Sequence, residues 1–355
     1  MRGKLQIFAA LFAVISAGAL AQAQQPAADG AKPGLDIVRI RKNIFLLSGA
    51  GGNITVSVGP DGVLLVDSGN KDASDQVLAA IRYISREMNG PWQQATLPGD
   101  GEGKEESVLT TTAPPKPIRF IINTSARPEH TGGNESLGKA GETFTGGNVA
   151  GDLGAEAGEG AAILSFDKVL DQLSDEKVPF AALPTVTYFG TQMKLSHFFN
   201  GEGVQLLHIP NGVSNGDSIV HFRGSDVIAV GDLITLNSYP VIDRKHGGSV
   251  QGLLAGLNRL LDMIVPEFRT EGGTLVVPGH GRIIDDADVA YYRDMVTIVR
   301  DRVQDMIKKD MTLAQIQESK PTADWDPIYG SDASWTPDMF VESIYRSLMD
   351  NAQKK

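Results

Sequence analysis

The chain has 355 residues, of which 43 are Asp or Glu and 32 are Lys or Arg, so its formal net charge is −11. An acidic chain of this kind is a poor candidate for binding nucleic acid or an anionic membrane surface. It contains no cysteine, which excludes disulfides, thiolate nucleophiles and cysteine-ligated zinc. Stability must therefore come from a hydrophobic core, and the chain is long enough to bury one.

The first 23 residues are predicted to be a secretory signal peptide. Arg2 and Lys4 precede a mostly apolar stretch over 5–20, and residues 21–23 read Ala-Gln-Ala, which is typical of a cleavage site. A membrane anchor is the alternative, but the apolar stretch is interrupted and short for a bilayer span. We therefore expect cleavage and export, to the periplasm in a diderm bacterium, with no membrane span afterwards.

Short runs of apolar and β-branched residues predict strands along the rest of the chain. They lie at 37–40, 44–47, 54–58, 63–66, 118–122, 161–164, 204–209, 218–222, 226–230 and 275–277. The Gly-Pro-Asp-Gly turn at 59–62 predicts a hairpin. Sequence rich in glycine and charge predicts long loops over 89–117 and 141–160.

Apolar residues at helical spacing predict a helix over 72–88 and another that begins after the N-cap residue Ser249. Further helices follow near the C-terminus, where Thr312 and Gln315 form a capping box. The predicted organisation is a flexible leader over 24–34, one domain over 35–290 with 89–117 as a loop insertion, and C-terminal helices over 291–355 packed on that domain.

Four residues that can bind metals follow predicted strands, where α/β enzymes place their sites. Glu129 and His130 follow one strand and precede a Thr-Gly-Gly-Asn turn, Asp232 follows a second, and His280 follows a third within Pro-Gly-His-Gly. Each has an ordinary alternative, such as a turn hydrogen bond or a packed side chain. Their joint occurrence is what favours a metal site.

This ordered set of motifs resembles the metallo-β-lactamase superfamily, over about residues 35–350. The supporting segments are Gly-Asn-Ile at 52–54, Leu-Val-Asp-Ser-Gly at 65–69, Ile-Asn-Thr at 122–124, His-Thr-Gly-Gly-Asn at 130–134, Gly-Asp-Ser at 216–218, Val-Gly-Asp at 230–232 and Pro-Gly-His-Gly at 278–281. The resemblance is strongest to exported bacterial metal-dependent hydrolases. It implies an α/β fold, a four-layer αββα sandwich with a dinuclear zinc site at one edge.

The family pattern assigns one metal to histidines at 125, 127 and 213, where this chain has Ser125, Arg127 and Val213. All three ligands of that site are absent. The other metal would take an acid at 129 together with His130 and His280, and Asp232 would bridge the two metals. Ligand-capable residues remain at these four positions, with Glu129 as the acid.

Arg127 admits two interpretations, because a guanidinium cannot bind a cation. It could act in catalysis as an electrophile or as a clamp for an anionic substrate group. It could instead pair with Glu129 and occupy the carboxylate that the metal needs. Asp232 or Glu129 could serve as the base. Asp67 and Asp217 are interpreted as hydrogen-bonding supports, and His246 as a further ligand or substrate contact.

These observations predict a hydrolase with one divalent metal, zinc being favoured while iron or manganese also suits the ligands. The expected substrate is a small-molecule ester, lactone, amide or phosphoester. The alternative is a catalytically inactive pseudoenzyme without a metal, serving as a periplasmic binding or scaffold module. A third interpretation, an iron-dependent redox protein, rests only on the two histidines and a carboxylate.

Overall fold

The computed structural model describes residues 34–88, 117–142, 160–195, 198–266 and 272–353. The predicted signal peptide, the leader up to residue 33 and most of the loops predicted over 89–117 and 141–160 lie outside the described residues. Within those ranges, none of the helices has the length and apolar character needed to cross a membrane. Export therefore stays a prediction from the N-terminal sequence.

Seven strands form the first sheet in the order of the chain. They are β1 Asp36–Arg41, β2 Ile44–Ala50, β3 Gly52–Gly59, β4 Gly62–Val66, β5 Ile118–Ile122, β6 Ala162–Phe166 and β7 Val186–Tyr188. The first four pair antiparallel, with the predicted hairpin between β3 and β4, and β4 to β7 pair parallel. The carboxyl ends of β4 and β5 therefore lie side by side.

Five strands form the second sheet in the order β12-β11-β10-β9-β8. They are β8 Gln192–Lys194, β9 Val204–His208, β10 Ser218–Phe222, β11 Val227–Thr235 and β12 Leu275–His280. Only β11 and β12 pair in parallel, so their carboxyl ends also lie at one edge.

The helices of the described residues follow the strands and cover the outer faces. They are α1 Ser74–Met88, α2 Pro128–Thr131, α3 Asn134–Lys139, α4 Asp167–Asp175, α5 Val250–Met263, α6 Asp286–Lys308, α7 Leu313–Glu318, α8 Asp326–Tyr329 and α9 Pro337–Gln353. The Ser249 hydroxyl accepts a hydrogen bond from the Gly252 amide at the start of α5, and Thr312 and Gln315 form the predicted capping box.

Alternation along the strands divides the apolar side chains between two faces. On β2, Ile44 and Leu46 join the core between the sheets, whereas Phe45 and Leu47 join the core beneath α1. A third core lies on the outer face of the second sheet, and α5, α6 and α9 supply most of its side chains. The layers are therefore helix, sheet, sheet and helix, which confirms the predicted αββα fold class.

Some element boundaries differ from those predicted. β11 continues to Thr235, so Asp232 lies inside this strand and not after it, although the pairing with β12 becomes irregular beyond Gly231. His280 is likewise the last residue of β12. The expected turn at 131–134 is present and joins two short helices, since Thr131 ends α2 and Asn134 begins α3. The strands β7 and β8 were not predicted, since three residues carry too little periodicity.

Candidate metal centre

His130 is fully buried in α2, and its ring and carbonyl are both held in place. Its carbonyl accepts hydrogen bonds from the backbone amide of Ser68 at 3.0 Å and from Nδ2 of Asn123 at 3.0 Å. Its Nδ1 lies 2.8 Å from Oδ2 of Asp67. Donation of the Nδ1 proton to Asp67 leaves Nε2 as the nitrogen that can bind a ligand.

Asp67 follows β4 with a φ of 67°, in the left-handed region that residues other than glycine seldom adopt. Its carboxylate accepts hydrogen bonds from the amide of Thr124 at 2.8 Å and from the Thr124 hydroxyl, besides contacting His130. This backbone conformation is consistent with a carboxylate held in place for His130. The expected supporting role of Asp67 is thus visible in its contacts.

Two glycines make room for Asp232. Gly231 has a φ of 52°, and a Cβ there would lie 2.4 Å from Oγ1 of Thr124. At Gly279 a Cβ would lie 2.6 Å from Oδ1 of Asp232 itself. Any larger residue at either position would therefore have to displace the chain that carries Asp232.

The end of β12 places His280 beside these groups. Nδ2 of Asn53 donates to the carbonyls of Pro278 at 2.9 Å and Gly281 at 2.8 Å, which fixes the backbone on both sides of His280. Nε2 of His280 lies 3.7 Å from Oδ1 of Asp232. One ligand atom from each of Glu129, His130 and His280 lies within 4.8 Å of the others. Three of the four predicted ligands therefore converge, and Asp232 lies beside the two histidines of that group.

Arg127 contacts two of the four. Its Nη2 lies 2.7 Å from Oε1 of Glu129, and its Nε lies 3.2 Å from Oδ2 of Asp232. The pairing that was considered for Glu129 is therefore present and extends to Asp232. It engages one oxygen of Asp232 and leaves the other, Oδ1, facing His130 and His280.

His130 and Asp232 approach closely without forming an aligned hydrogen bond. Nε2 of His130 is 2.9 Å from Oδ1 of Asp232, yet neither this nitrogen nor either oxygen of Asp232 has a hydrogen-bond partner of good geometry in the described part of the chain. All three atoms are buried. Each nonetheless has a charged neighbour, since Oδ1 of Asp232 faces His130 and Oδ2 of Asp232 lies 3.2 Å from Nε of Arg127.

The charges in the site shift the acidities of its groups. Burial alone would lower the pKa of His130, but the carboxylates of Asp232 and Asp67 raise it well above its usual value. Burial alone would raise the pKa of Asp232, but His130 and Arg127 hold it well below its usual range. Burial is the main cause that lowers the pKa of His280, which favours the neutral imidazole that metals bind.

Comparison with solved structures identifies the architecture. The chain is similar to the DIM-1 metallo-β-lactamase, with 14% identity, a TM-score of 0.50, and coverage of 75% of this chain and 98% of that one. It is also similar to the stereoselective inverting sec-alkylsulfatase Pisa1 from Pseudomonas sp., with 11% identity and a TM-score of 0.56. A double mutant of the same sulfatase gives 12% identity and a TM-score of 0.57.

This chain has the metallo-β-lactamase fold. Its match to the alkylsulfatase covers 88% of this chain but only 50% of the sulfatase, which is the longer protein. No protein-family model matches the sequence, and no curated protein matches it either. At these identities the comparisons establish the fold, and the activity has to be argued from the site.

Within the metallo-β-lactamase fold, the positions of the absent site have become part of the scaffold. Ser125 is buried, and its hydroxyl accepts a hydrogen bond from the Arg127 amide at 3.4 Å. Val213 is buried in the core beneath α5 and α6. Nearby, Asp217 accepts hydrogen bonds from the amide and hydroxyl of Ser214. Asp217 thus has the supporting contacts expected of it.

The retained residues fit one divalent cation. Two imidazoles and two carboxylates are suitable ligands for zinc, iron or manganese. Ligand atoms of Glu129, His130 and His280 lie within 4.8 Å of one another, and Oδ1 of Asp232 faces both histidines. Arg127 places a positive charge beside them and is the feature that opposes binding of a cation.

Two histidines outside the centre, His208 and His246, contact other groups. His208 stacks on Phe166 at 3.5 Å between ring centres, and its Nε2 lies 3.0 Å from the Asn215 carbonyl. His246, considered above as a further ligand, has its Nδ1 2.6 Å from Oδ2 of Asp243. His246 does not line the pocket that borders the centre.

An open pocket of about 400 Å³ borders the centre. Arg127, Glu129, Asp232 and His280 form part of its wall. The rest comes from the segment after β11 and the segment before α9, namely Thr235, Asn237, Ser238, Val241, Asp332, Ser334 and Trp335. The sequence did not point to these residues, because they have no ligand spacing and approach the centre only through tertiary packing.

Proposed function

We propose that this protein is a metal-dependent hydrolase that uses a single divalent cation, with zinc favoured and iron or manganese as further candidates. Glu129, His130, Asp232 and His280 would hold the cation. The observation that carries this proposal is that one ligand atom from each of Glu129, His130 and His280 lies within 4.8 Å of the others, beside the buried carboxylate of Asp232.

A cation at this position would polarise the reacting bond of the substrate and make a nearby water more acidic. The residues of the chain supply the remaining functions. Asp67 orients His130 through Nδ1. Asp232 is a weak proton acceptor because its pKa is held low. Both carboxylates line the pocket, and Glu129 is the candidate base because the pKa of Asp232 is held low.

The pocket and the fold favour a small-molecule substrate that is hydrolysed. A pocket of about 400 Å³ suits a small molecule. The compared structures are a β-lactamase and an alkylsulfatase, whose names refer to hydrolysis of different bonds. They support hydrolysis in general and do not select one bond. We therefore keep an ester, lactone, amide or phosphoester as the candidate substrates.

The decisive experiment measures metal content by mass spectrometry on protein purified without chelator. About one ion per chain is expected in the wild type and none in His130→Ala. His246→Ala is the matched control, since this histidine also pairs with an aspartate through Nδ1 but lies outside the pocket lining. A wild type that binds no zinc, iron or manganese after loading would contradict the proposal. Hydrolysis of model substrates by the loaded protein would then be compared among the three.

A catalytically inactive binding module is the second candidate. Its support is the double ion pair of Arg127, which supplies a permanent positive charge to the carboxylates of Glu129 and Asp232. This candidate predicts no stoichiometric metal and no hydrolysis, so the same metal analysis separates the two.

We further propose that the protein is exported. The support is the basic, apolar and small-residue pattern of the first 23 residues. Amino-terminal sequencing of the protein expressed in a diderm bacterium is expected to begin at Gln24. A mature chain that begins at Met1 would contradict this proposal.

A further inference from the structure

Arg127 is held rigidly at the edge of the centre. Its carbonyl accepts hydrogen bonds from the amide of His130 at 2.9 Å and from the amide and hydroxyl of Thr131, each at 3.1 Å. Its side chain is 31% exposed, against 17% for Glu129 and 5% for Asp232. The guanidinium therefore closes the site on its solvent side, and the two carboxylates lie further in.

The two ion pairs of Arg127 use one edge of the guanidinium. Nη2 is directed at Glu129 and Nε at Asp232, so a single planar group joins two carboxylates from different parts of the chain. These contacts raise the pKa of Arg127 above its usual value even though burial alone would lower it. A guanidinium has the fork geometry for such bridging, and an ammonium group does not.

This arrangement argues against a free clamp for an anionic substrate. The Nε–Nη2 edge is already bound to carboxylates of the chain. The pocket wall also carries Asp332, for which the described part of the chain shows no ion pair. An anionic group of a substrate would meet the charges of three carboxylates beside one committed guanidinium.

We propose that Arg127 acts as a built-in cation: it holds Glu129 and Asp232 together in the absence of metal and weakens the binding of a metal ion at the centre. It engages Oε1 of Glu129 and Oδ2 of Asp232, so these two oxygens are not available as metal ligands while the ion pairs persist. Oδ1 of Asp232 remains directed at the two histidines. Arg127 is thus a positioning residue, and its effect on metal affinity rests on the proposed metal-dependent function.

The proposal is tested by comparing wild type, Arg127→Ala and Arg127→Lys, with Arg282→Ala as control. Arg282 is an exposed arginine that pairs with Asp288 through two bonds, so its loss changes the net charge equally without touching the centre. Zinc and manganese binding are measured by equilibrium dialysis with mass spectrometry. The thermal midpoint is measured in chelator and in saturating metal.

Wild type and Arg282→Ala are expected to bind one ion per chain. Arg127→Ala is expected to bind zinc about ten- to a hundredfold more tightly, still at one ion per chain, because a repelling charge is removed. Its thermal midpoint in chelator should fall below that of the wild type, and metal should restore most of the difference. An unchanged zinc affinity in Arg127→Ala, with an unchanged midpoint in chelator, would overturn the proposal.

Arg127→Lys keeps the charge but cannot bridge both carboxylates with one planar edge. The lysine variant keeps the proposal testable if the alanine variant does not fold. It is expected to bind one ion per chain and to have a thermal midpoint in chelator below that of the wild type. A lysine variant identical to the wild type in both would also overturn the bridging role. If the wild type binds no ion while either variant binds one, the metal-dependent function fails but the built-in cation is upheld.

Discussion

Ser125 and Val213 lie at positions where the metallo-β-lactamase pattern has metal ligands, and so do His130 and Asp232. The two pairs of residues have different surroundings. Ser125 accepts a hydrogen bond from a backbone amide, and Val213 is packed in an apolar core. His130 and Asp232 are also buried, but they belong to a charged cluster in which Asp232 faces both His130 and Arg127. Buried charged groups are kept only where other charges accompany them, so this half of the site alone retains groups that can bind a cation.

The strongest way to break this comparison is His130→Ala. Removal of the imidazole leaves the carboxylates of Asp67 and Asp232 buried without the group between them. Loss of one partner of a buried charged pair costs about 3–5 kcal/mol. Urea unfolding in chelator should show a loss of this order. A loss below about 1 kcal/mol would mean that the ion pairs of His130 contribute little to the stability of the fold.

The next largest effect is the pH dependence of the folding stability that Asp217 causes. Burial raises the pKa of the Asp217 carboxyl from its ordinary range to about 7. The folded chain then holds a proton that the unfolded chain has released, so stability falls as pH rises between about 4 and 7. The slope reaches at most about 1.4 kcal/mol per pH unit for one proton. It should be absent in Asp217→Asn, and identical slopes in urea titrations of the two proteins would refute the shift.

Asp67→Asn tests how far the retained ligand His130 depends on the carboxylate that orients it. It keeps the size of the side chain but removes the charge that faces Nδ1 of His130 and the Thr124 donors. We expect a loss of about 1–3 kcal/mol in stability. We also expect metal affinity to fall about ten- to a hundredfold, as for other groups that orient ligands. Calorimetric metal titration measures the affinity, and equal affinity would show that His130 needs no support.

The smallest effect is expected for His246→Ala. This histidine is partly exposed and pairs with Asp243 outside the lining of the pocket. Its removal should cost no more than about 1 kcal/mol and leave the metal content unchanged. A variant that lost its metal would show that His246 belongs to the metal centre.

Much of the fold was readable from local pattern. Short runs of apolar and β-branched residues at 44–47 and 54–58 predicted strands, and these runs lie in β2 and β3. The capping residues Ser249 and Thr312 marked the starts of helices correctly. Three-residue strands and the extension of β11 past Gly231 escaped prediction, because they depend on pairing with distant segments and not on local preference.

The sequence by itself determined which residue types are available: Glu129, His130, Asp232 and His280 remain, and the ligands at 125, 127 and 213 do not. Only the tertiary structure decided how they meet. It shows that Arg127 bridges two carboxylates while Oδ1 of Asp232 still faces two imidazoles. It also brings the segment at 332–335 to the pocket. Side-chain directions and contacts between residues a hundred positions apart arise from packing, which no local pattern encodes.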